Sequence, residues 1–174
     1  LPDSGEMEGE DRADMLLPEN QIELLKAIAA VNENIVVVLS CGCAVEMQWH
    51  RYAKAVVHGY LGGQAGAMAM ARLLTGQVNF SGKLAETVPL SLTTVPSSPY
   101  FPGMEATAEH REGIYVGYRY YETAKVPAMY PFGFGLSYTT FEYSGLRVEG
   151  GSVRFRVKNT GDMAGTEIAQ LYIA

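Results

Sequence analysis

The sequence predicts an α/β fold that passes into antiparallel β structure, and three observations predict it. An amphipathic helical pattern at 18–30 leads into an apolar, β-branched run at 35–39. A second apolar run at 54–61 precedes a helix rich in small residues. Beyond residue 144, apolar and polar residues alternate, as in antiparallel strands. We therefore expect a doubly wound α/β layer followed by an antiparallel β-sandwich, with the boundary near residues 138–145.

The first helix and strand are the most strongly signalled elements. Pro18 suits the first turn of a helix, and Ile22, Leu25 and Ile28 then recur at helical spacing. The stretch IVVVLSCG shows no alternation, which is expected of a central parallel strand covered on both faces. The proline-rich segment at 86–112 predicts a long surface loop.

Composition excludes several classes of partner. A net charge of −6 and a pI of about 5.1 disfavour nucleic-acid and anionic-membrane surfaces, which leaves small neutral ligands. No apolar run is long enough for a membrane span. Cys41 and Cys43 suit neither a disulfide nor a zinc site, so we expect two small buried hydrophobes and no metal. Free thiols are compatible with a reducing compartment, which favours the cytoplasm.

Two further patterns each leave an alternative open. Gly62, Gly63 and Gly66 follow a strand and open a helix, as in a phosphate-binding loop, but without the G-x-G-x-x-G order; close helix packing is favoured. The stretches GIYVGYRYY and MYPFGFGLSYTTFEY predict either a sugar-stacking platform or packed core. Asn79-Phe80-Ser81 also fits a glycosylation sequon by pattern.

The opening stretch DSGEMEGEDRADMLLP is strongly acidic. It contains six carboxylates and one cation, Arg12: Asp3, Glu6, Glu8, Glu10, Asp11 and Asp14. A solvated tail is the ordinary interpretation of such a charge run. Because Gly5 and Gly9 interrupt it and it leads directly into a helix, a loop that leaves a folded element, and carries catalytic carboxylates, is also predicted.

The ordered motifs EGEDRADMLLPENQ, VVVLSCGCAVEMQW, YLGGQAGAMAMARLLTGQVNFSGKLAETVP, REGIYVGYRYYE, YPFGFGLSYTTFEY and VKNTGDMAGTEIAQLYI give the chain a family resemblance. Together they resemble the C-terminal half of glycoside hydrolase family 3 β-glucosidases. The resemblance implies that residues 1–140 are the later part of an α/β sandwich domain. It implies that residues 141–174 begin a fibronectin type III-like β-sandwich. The catalytic (β/α)8 barrel of such enzymes is missing from these 174 residues.

The resemblance also implies a catalytic residue. Enzymes of this family are retaining glycosidases whose acid/base glutamate lies in a stretch E-G-x-D-R, and the matching stretch here begins at Glu8. Glu6 and Glu10 are the alternatives, because loop lengths before the Asp-Arg pair vary. Gly9 would supply the bend, and Arg12 would oppose the negative charges or pair with Asp11 and hold the loop.

The expected activity is hydrolysis of terminal β-D-glucosyl residues from β-glucosides or short oligosaccharides, with no cofactor. β-Xylosidase or N-acetylhexosaminidase specificity is the alternative within the family. The nucleophilic Asp would lie on the missing barrel, so the isolated piece is expected to be an inert accessory, carbohydrate-binding or assembly module. Phe155, Ile168 and Leu171 are expected to form exposed apolar edges.

Overall fold

The computed structural model describes residues 6–7, 9–103, 106–107 and 109–173. In order, the helices and strands are α1 (Glu19–Ala29), β1 (Val36–Leu39), β2 (Ala55–His58), α2 (Gly66–Leu74), β3 (Val88–Pro89), α3 (Tyr118–Ala124), β4 (Ala128–Tyr130), β5 (Phe141–Glu149) and β6 (Ser152–Asn159). Two compact units contain these elements, one within 1–66 and 85–132, the other within 67–84 and 133–174. Among the described residues, the longest helix has 11 residues, and none could cross a bilayer.

The first unit contains the predicted parallel strands. β1 pairs with β2 in parallel, with Val36 opposite Ala55 and Leu39 opposite His58. Side chains of a strand point alternately to its two faces, and Leu39 is buried whereas Val36 is 52% exposed. The prediction that both faces of β1 are covered is therefore wrong for the described chain. In a sheet of only these two strands, one face is packed and the other is open.

The core of the first unit lies mostly directly after β1. Its buried apolar residues are Leu39, Cys41, Ala44, Val45, Met47, Trp49, Val88 and Tyr121. Trp49 satisfies its indole N–H by donating to the Glu46 carbonyl at 2.9 Å. The connection that follows β1 is therefore packed into the core of the first unit.

The segment at 86–112 is only partly the surface loop that its prolines predict. Val88 is 1% exposed and, with Pro89, forms strand β3, which pairs antiparallel with β4. The register shifts between Val88 and Pro89, and such an irregularity tolerates a residue without an N–H. The remainder has two short 3-10 helices, Leu92–Thr94 and Ser98–Tyr100.

The second unit contains the predicted antiparallel hairpin. β5 and β6 are joined by Gly150 and Gly151, and Glu149 lies opposite Ser152. The sequence predicts about three strands, but among the described residues after Asn159 there is no further strand. Phe155, Ile168 and Leu171 are exposed, as predicted. The division into domains 1–140 and 141–174 stays a prediction.

Side-chain bonds, rather than a strand ladder, hold the chain after β6. The Asn79 amide donates to the Ala164 carbonyl at 3.0 Å. Lys83 lies 3.3 Å from the Glu167 carboxylate, and Gln170 donates to the Gly133 carbonyl at 3.1 Å. Among the described residues no strand pairs with this segment, so its apolar alternation does not produce a strand.

Candidate functional site

The site begins at the carboxyl ends of the parallel strands, which is where ligands bind in open α/β sheets. Ser40 to Ala44 follow β1, and Gly59 to Leu61 follow β2. The Gly59 N–H donates to the Leu39 carbonyl at 2.8 Å, which extends the pairing past the last strand residue. Both connections are thereby fixed at the same edge of the sheet.

The described part of the acidic stretch forms a tight turn. Met7 and Glu10 form an antiparallel bridge, and Gly9 has a φ of 90°. That φ is in the region that favours glycine, so the predicted role of Gly9 as the bend is confirmed. Glu8, the predicted acid/base, lies outside the described residues, although residues on both sides of it are described.

Glu6 is bound to the connection that follows β1. The Gly42 N–H lies 3.0 Å from Oε1 and 2.9 Å from Oε2 of the Glu6 carboxylate. The Cys43 thiol also donates to Oε1, with a sulfur–oxygen distance of 3.6 Å. The side chain of Glu6 is only 18% exposed. Its oxygens are thus used as acceptors in a partly buried position.

Arg12 binds the same connection from the other end of the turn. Its Nη1 donates to the Cys43 sulfur at 2.9 Å and approaches the Ala44 carbonyl at 3.4 Å. The ion pair that Arg12 makes within the described part of the chain is with Glu6, at 3.9 Å, and not with Asp11. The prediction that Arg12 holds the loop is confirmed, but the predicted Asp11 partner is wrong. The tertiary fold instead brings Arg12 to Glu6, the Cys43 sulfur and the Ala44 carbonyl.

The two cysteines differ. Cys41 is fully buried, and burial raises the pKa of its thiol to about 11. Cys43 is exposed, so the prediction that both are buried hydrophobes is wrong for Cys43. Partial burial raises the Cys43 pKa as well, although the hydrogen bond from Arg12 acts in the opposite direction. Both cysteines follow β1, but the Cys41 side chain is packed in the core whereas the Cys43 sulfur contacts Arg12 and Glu6 of the acidic stretch.

An open cleft with a volume of about 550 Å³ borders this turn. Carboxylates of Glu10 and Asp11 line it together with Glu6. Leu61 and Phe101 contribute apolar surface and are 75% and 58% exposed. Apolar surface with a few converging polar groups is the usual composition of a small-molecule site. Sequence reasoning assigned no role to Phe101, because only the fold brings the proline-rich segment to this cleft.

A titratable pair lies next to the fixed connection. The Cys41 sulfur is 3.9 Å from Nε2 of His58, and the His58 ring stacks on Tyr60 with centroids 3.8 Å apart. Burial lowers the pKa of His58, which favours the neutral imidazole, and burial raises the pKa of the nearby Glu86 carboxyl. These groups lie beside the connection that follows β1 and are not among the residues that line the cleft.

The aromatic stretches contribute packed core at some positions and exposed surface at others. Tyr121 is buried, and Tyr118 stacks on Phe132 with centroids 5.0 Å apart, which is core packing. Tyr115 is 47% exposed and, with Tyr100, lines a second open cleft of about 380 Å³. Sugar stacking on this exposed surface stays a prediction.

The glycine cluster favours close packing over phosphate binding. A Cβ added to Gly62 would lie 3.0 Å from the Cα of Gly66, and Gly63 has a φ of 60°. Both observations explain the glycines by backbone geometry alone.

Comparison with known proteins identifies the family to which the chain belongs. The "Glycosyl hydrolase family 3 C-terminal domain" matches residues 2–138. The chain therefore belongs to glycosyl hydrolase family 3, and its mixed helix and strand architecture is that of the family's α/β sandwich.

Three proteins illustrate the degree of similarity within this family. Thermostable β-glucosidase B of Acetivibrio thermocellus is 51% identical over 99% of this chain, which corresponds to 24% of that protein. An exo-α-(1→6)-L-arabinopyranosidase of Bifidobacterium breve is 42% identical over 100% of the chain and 24% of its own length. The crystal structure of a GH3 β-glucosidase from Bifidobacterium adolescentis matches with a TM-score of 0.90 and 46% identity, over 93% of this chain and 25% of that chain. The chain thus spans about a quarter of the length of these relatives.

Proposed function

We propose that the chain is part of a retaining β-glucosidase, in which it supplies Glu8 as the general acid/base. The observation that carries the proposal is the anchoring of the turn around position 8 at the carboxyl end of β1, beside an open cleft. The similarity to several β-glucosidases supports the substrate class. The nucleophilic Asp, and the barrel on which it lies, would come from the same protein outside these residues.

The proposed mechanism divides the chemistry between two carboxyl groups. The barrel Asp attacks the anomeric carbon while the protonated acid of this chain donates its proton to the leaving glycosidic oxygen. The same group, now ionised, then takes a proton from the water that hydrolyses the glycosyl-enzyme. The two carboxyl groups of retaining enzymes are about 5–5.5 Å apart, so the turn must be held over the sugar. Anchoring of the turn would help to keep the acid/base at this distance from the nucleophile.

Glu8→Gln in the complete enzyme is the principal test. An amide cannot donate the proton, so we expect kcat/KM for cellobiose to fall by a factor of about 10²–10⁴. An activated dinitrophenyl β-glucoside needs little protonation, so its first step should change much less. Azide, which needs no general base, should accelerate release of the glycosyl-enzyme. Equal, mild losses on both substrates would contradict the assignment of Glu8 and transfer it to Glu6 or Glu10.

The 174-residue chain alone provides a control. Assayed on an aryl β-glucoside beside the complete enzyme, it should show no turnover, because one carboxylate of the pair is missing. Turnover by the isolated chain would contradict the split active site.

Arabinopyranosidase activity is a second candidate, which the 42% identity with the Bifidobacterium breve enzyme favours. An aryl α-L-arabinopyranoside is the matched substrate for the same assay. Preference for it over the aryl β-glucoside would keep the proposed acid/base and change only the sugar.

A further inference from the structure

We infer that Glu6 is a positioning residue, which holds the turn carrying Glu8 in place and does not itself transfer the proton. This inference rests on the proposed function, because the role of Glu6 is exerted through Glu8. We call the described residues 6–7 and 9–12 the acidic turn and residues 42–44 its platform.

The acidic turn is attached to the platform at both of its ends. At one end the Glu6 carboxylate accepts the Gly42 N–H with both oxygens, at 2.9 and 3.0 Å. At the other end Arg12 donates to Cys43 at 2.9 Å and to the Ala44 carbonyl at 3.4 Å. A segment fixed at both ends has fewer conformations to lose when its central residue must take a reactive position.

The two attachments are also coupled to each other. Arg12 is 3.9 Å from the Glu6 carboxylate, and the Cys43 thiol accepts from Arg12 while it donates to Glu6. Side chains of Glu6 and Arg12 are 18% and 20% exposed, so water weakens this pair less than it would on the surface. The three side chains therefore form one network, and removing Glu6 should loosen both ends.

The same contacts argue against Glu6 as the acid. A general acid must present an O–H to the leaving oxygen. Among the residues that the structure describes, the partners of the Glu6 carboxylate are all donors: a backbone N–H, a thiol and a guanidinium. Those partners need Glu6 as an acceptor, which is the role of a structural carboxylate.

A double-mutant cycle in the complete enzyme tests the inference. We expect Glu6→Ala to lower kcat/KM for cellobiose by about 10- to 100-fold, since a displacement of about 1 Å can cost that much. The loss should be smaller for a dinitrophenyl β-glucoside, because only proton donation is impaired. In the Glu8→Gln background, adding Glu6→Ala should change kcat/KM by less than about twofold, because the group that Glu6 positions is already absent.

Two further single variants serve as controls for the cycle. Glu6→Gln keeps an acceptor oxygen for the Gly42 N–H, so it should retain more activity than Glu6→Ala. Glu19→Gln removes an exposed carboxylate at the start of α1 and should leave kcat/KM for both substrates unchanged. Thermal unfolding of each variant establishes that it folds, and Glu6→Gln replaces Glu6→Ala in the cycle if the latter does not.

The outcomes separate the inference from the proposal beneath it. Losses that multiply in the double variant, or azide rescue of Glu6→Ala in place of Glu8→Gln, would overturn the positioning role. No effect of either Glu6 variant would overturn it as well. If Glu8→Gln shows neither dependence on the leaving group nor azide rescue, the proposed function itself fails.

Discussion

At the scale of the residue, Asn79 shows how one polar side chain fixes several segments of the second unit. Its Nδ2 donates to the Ala164 carbonyl at 3.0 Å. Its Oδ1 accepts from the Ser137 hydroxyl at 2.9 Å and from the Tyr138 N–H at 2.8 Å. The amide nitrogen that a glycan would modify is therefore engaged in folding, which argues against the sequon interpretation of Asn79.

Asn79→Ala should destabilise this region by about 2 kcal/mol, since three hydrogen bonds are lost together, one of them partly buried. Amide hydrogen exchange of Tyr138 in the 174-residue chain should accelerate about 30-fold, which is the same free energy expressed as a rate ratio. Asn32→Ala is the control, because Asn32 binds only the nearby Asn34 N–H at an exposed position. Unchanged exchange at Tyr138 in Asn79→Ala would show that the bridge contributes nothing.

At the scale of the element, the β5–β6 hairpin depends on its two-residue turn. Gly150 and Gly151 have φ values of 54° and 76°. Positive φ at both central residues is what a type I′ turn requires, and this turn matches the twist of the strands it joins. The glycine pair therefore sets the register in which Glu149 faces Ser152.

Gly151→Val should lower the stability of the hairpin by about 1–2 kcal/mol, because a β-branched residue tolerates positive φ poorly. Gly151→Asn is the matched variant and should cost less, since asparagine adopts this region more readily. Thermal unfolding followed by circular dichroism in the strand region measures the difference. Equal midpoints for the two variants would contradict the conformational explanation.

At the scale of the whole molecule, the connection after β1 contains both core residues and the residues that bind the acidic turn. Val45 is 1% exposed and lies in the same connection that holds the acidic turn. The residues that anchor the turn, Gly42 and Cys43, are thus neighbours of the best-buried side chains in the first unit. Core packing, rather than the loop's own sequence, gives the acidic turn a fixed surface to bind.

Val45→Ala should lower the free energy of unfolding by about 2 kcal/mol, through lost burial and the cavity left behind. Trp49, the single tryptophan, is buried in the same core and reports its unfolding by fluorescence in urea. Val31→Ala is the matched control: Val31 is 86% exposed, and its change should stay within about 0.5 kcal/mol. Similar losses for the two variants would place Val45 outside the cooperative core.

Local patterns predicted α1, β1, β2, α2 and the β5–β6 hairpin, but not α3, β3 or β4. Pro18 and the spacing of Ile22 and Leu25 predict α1, and the β-branched run predicts β1. Both signals lie within a few consecutive residues, so they can be seen without knowledge of tertiary contacts. The hairpin followed from alternation and a glycine pair. The third strand expected after Asn159 is absent from the described residues, since no strand there pairs with that segment, and alternation alone cannot reveal whether a pairing partner is present.

The sequence by itself determined the family, the α/β class and the motif that nominates Glu8, because each is written in contiguous residues. Only the tertiary structure decided that Glu6 is bound to Gly42, that Arg12 pairs with Glu6 instead of Asp11, and that Cys43 is exposed. The physical reason is distance along the chain: the Glu6 to Gly42 contact joins residues 36 positions apart. Such a contact depends on where β1 ends and how the core packs behind it.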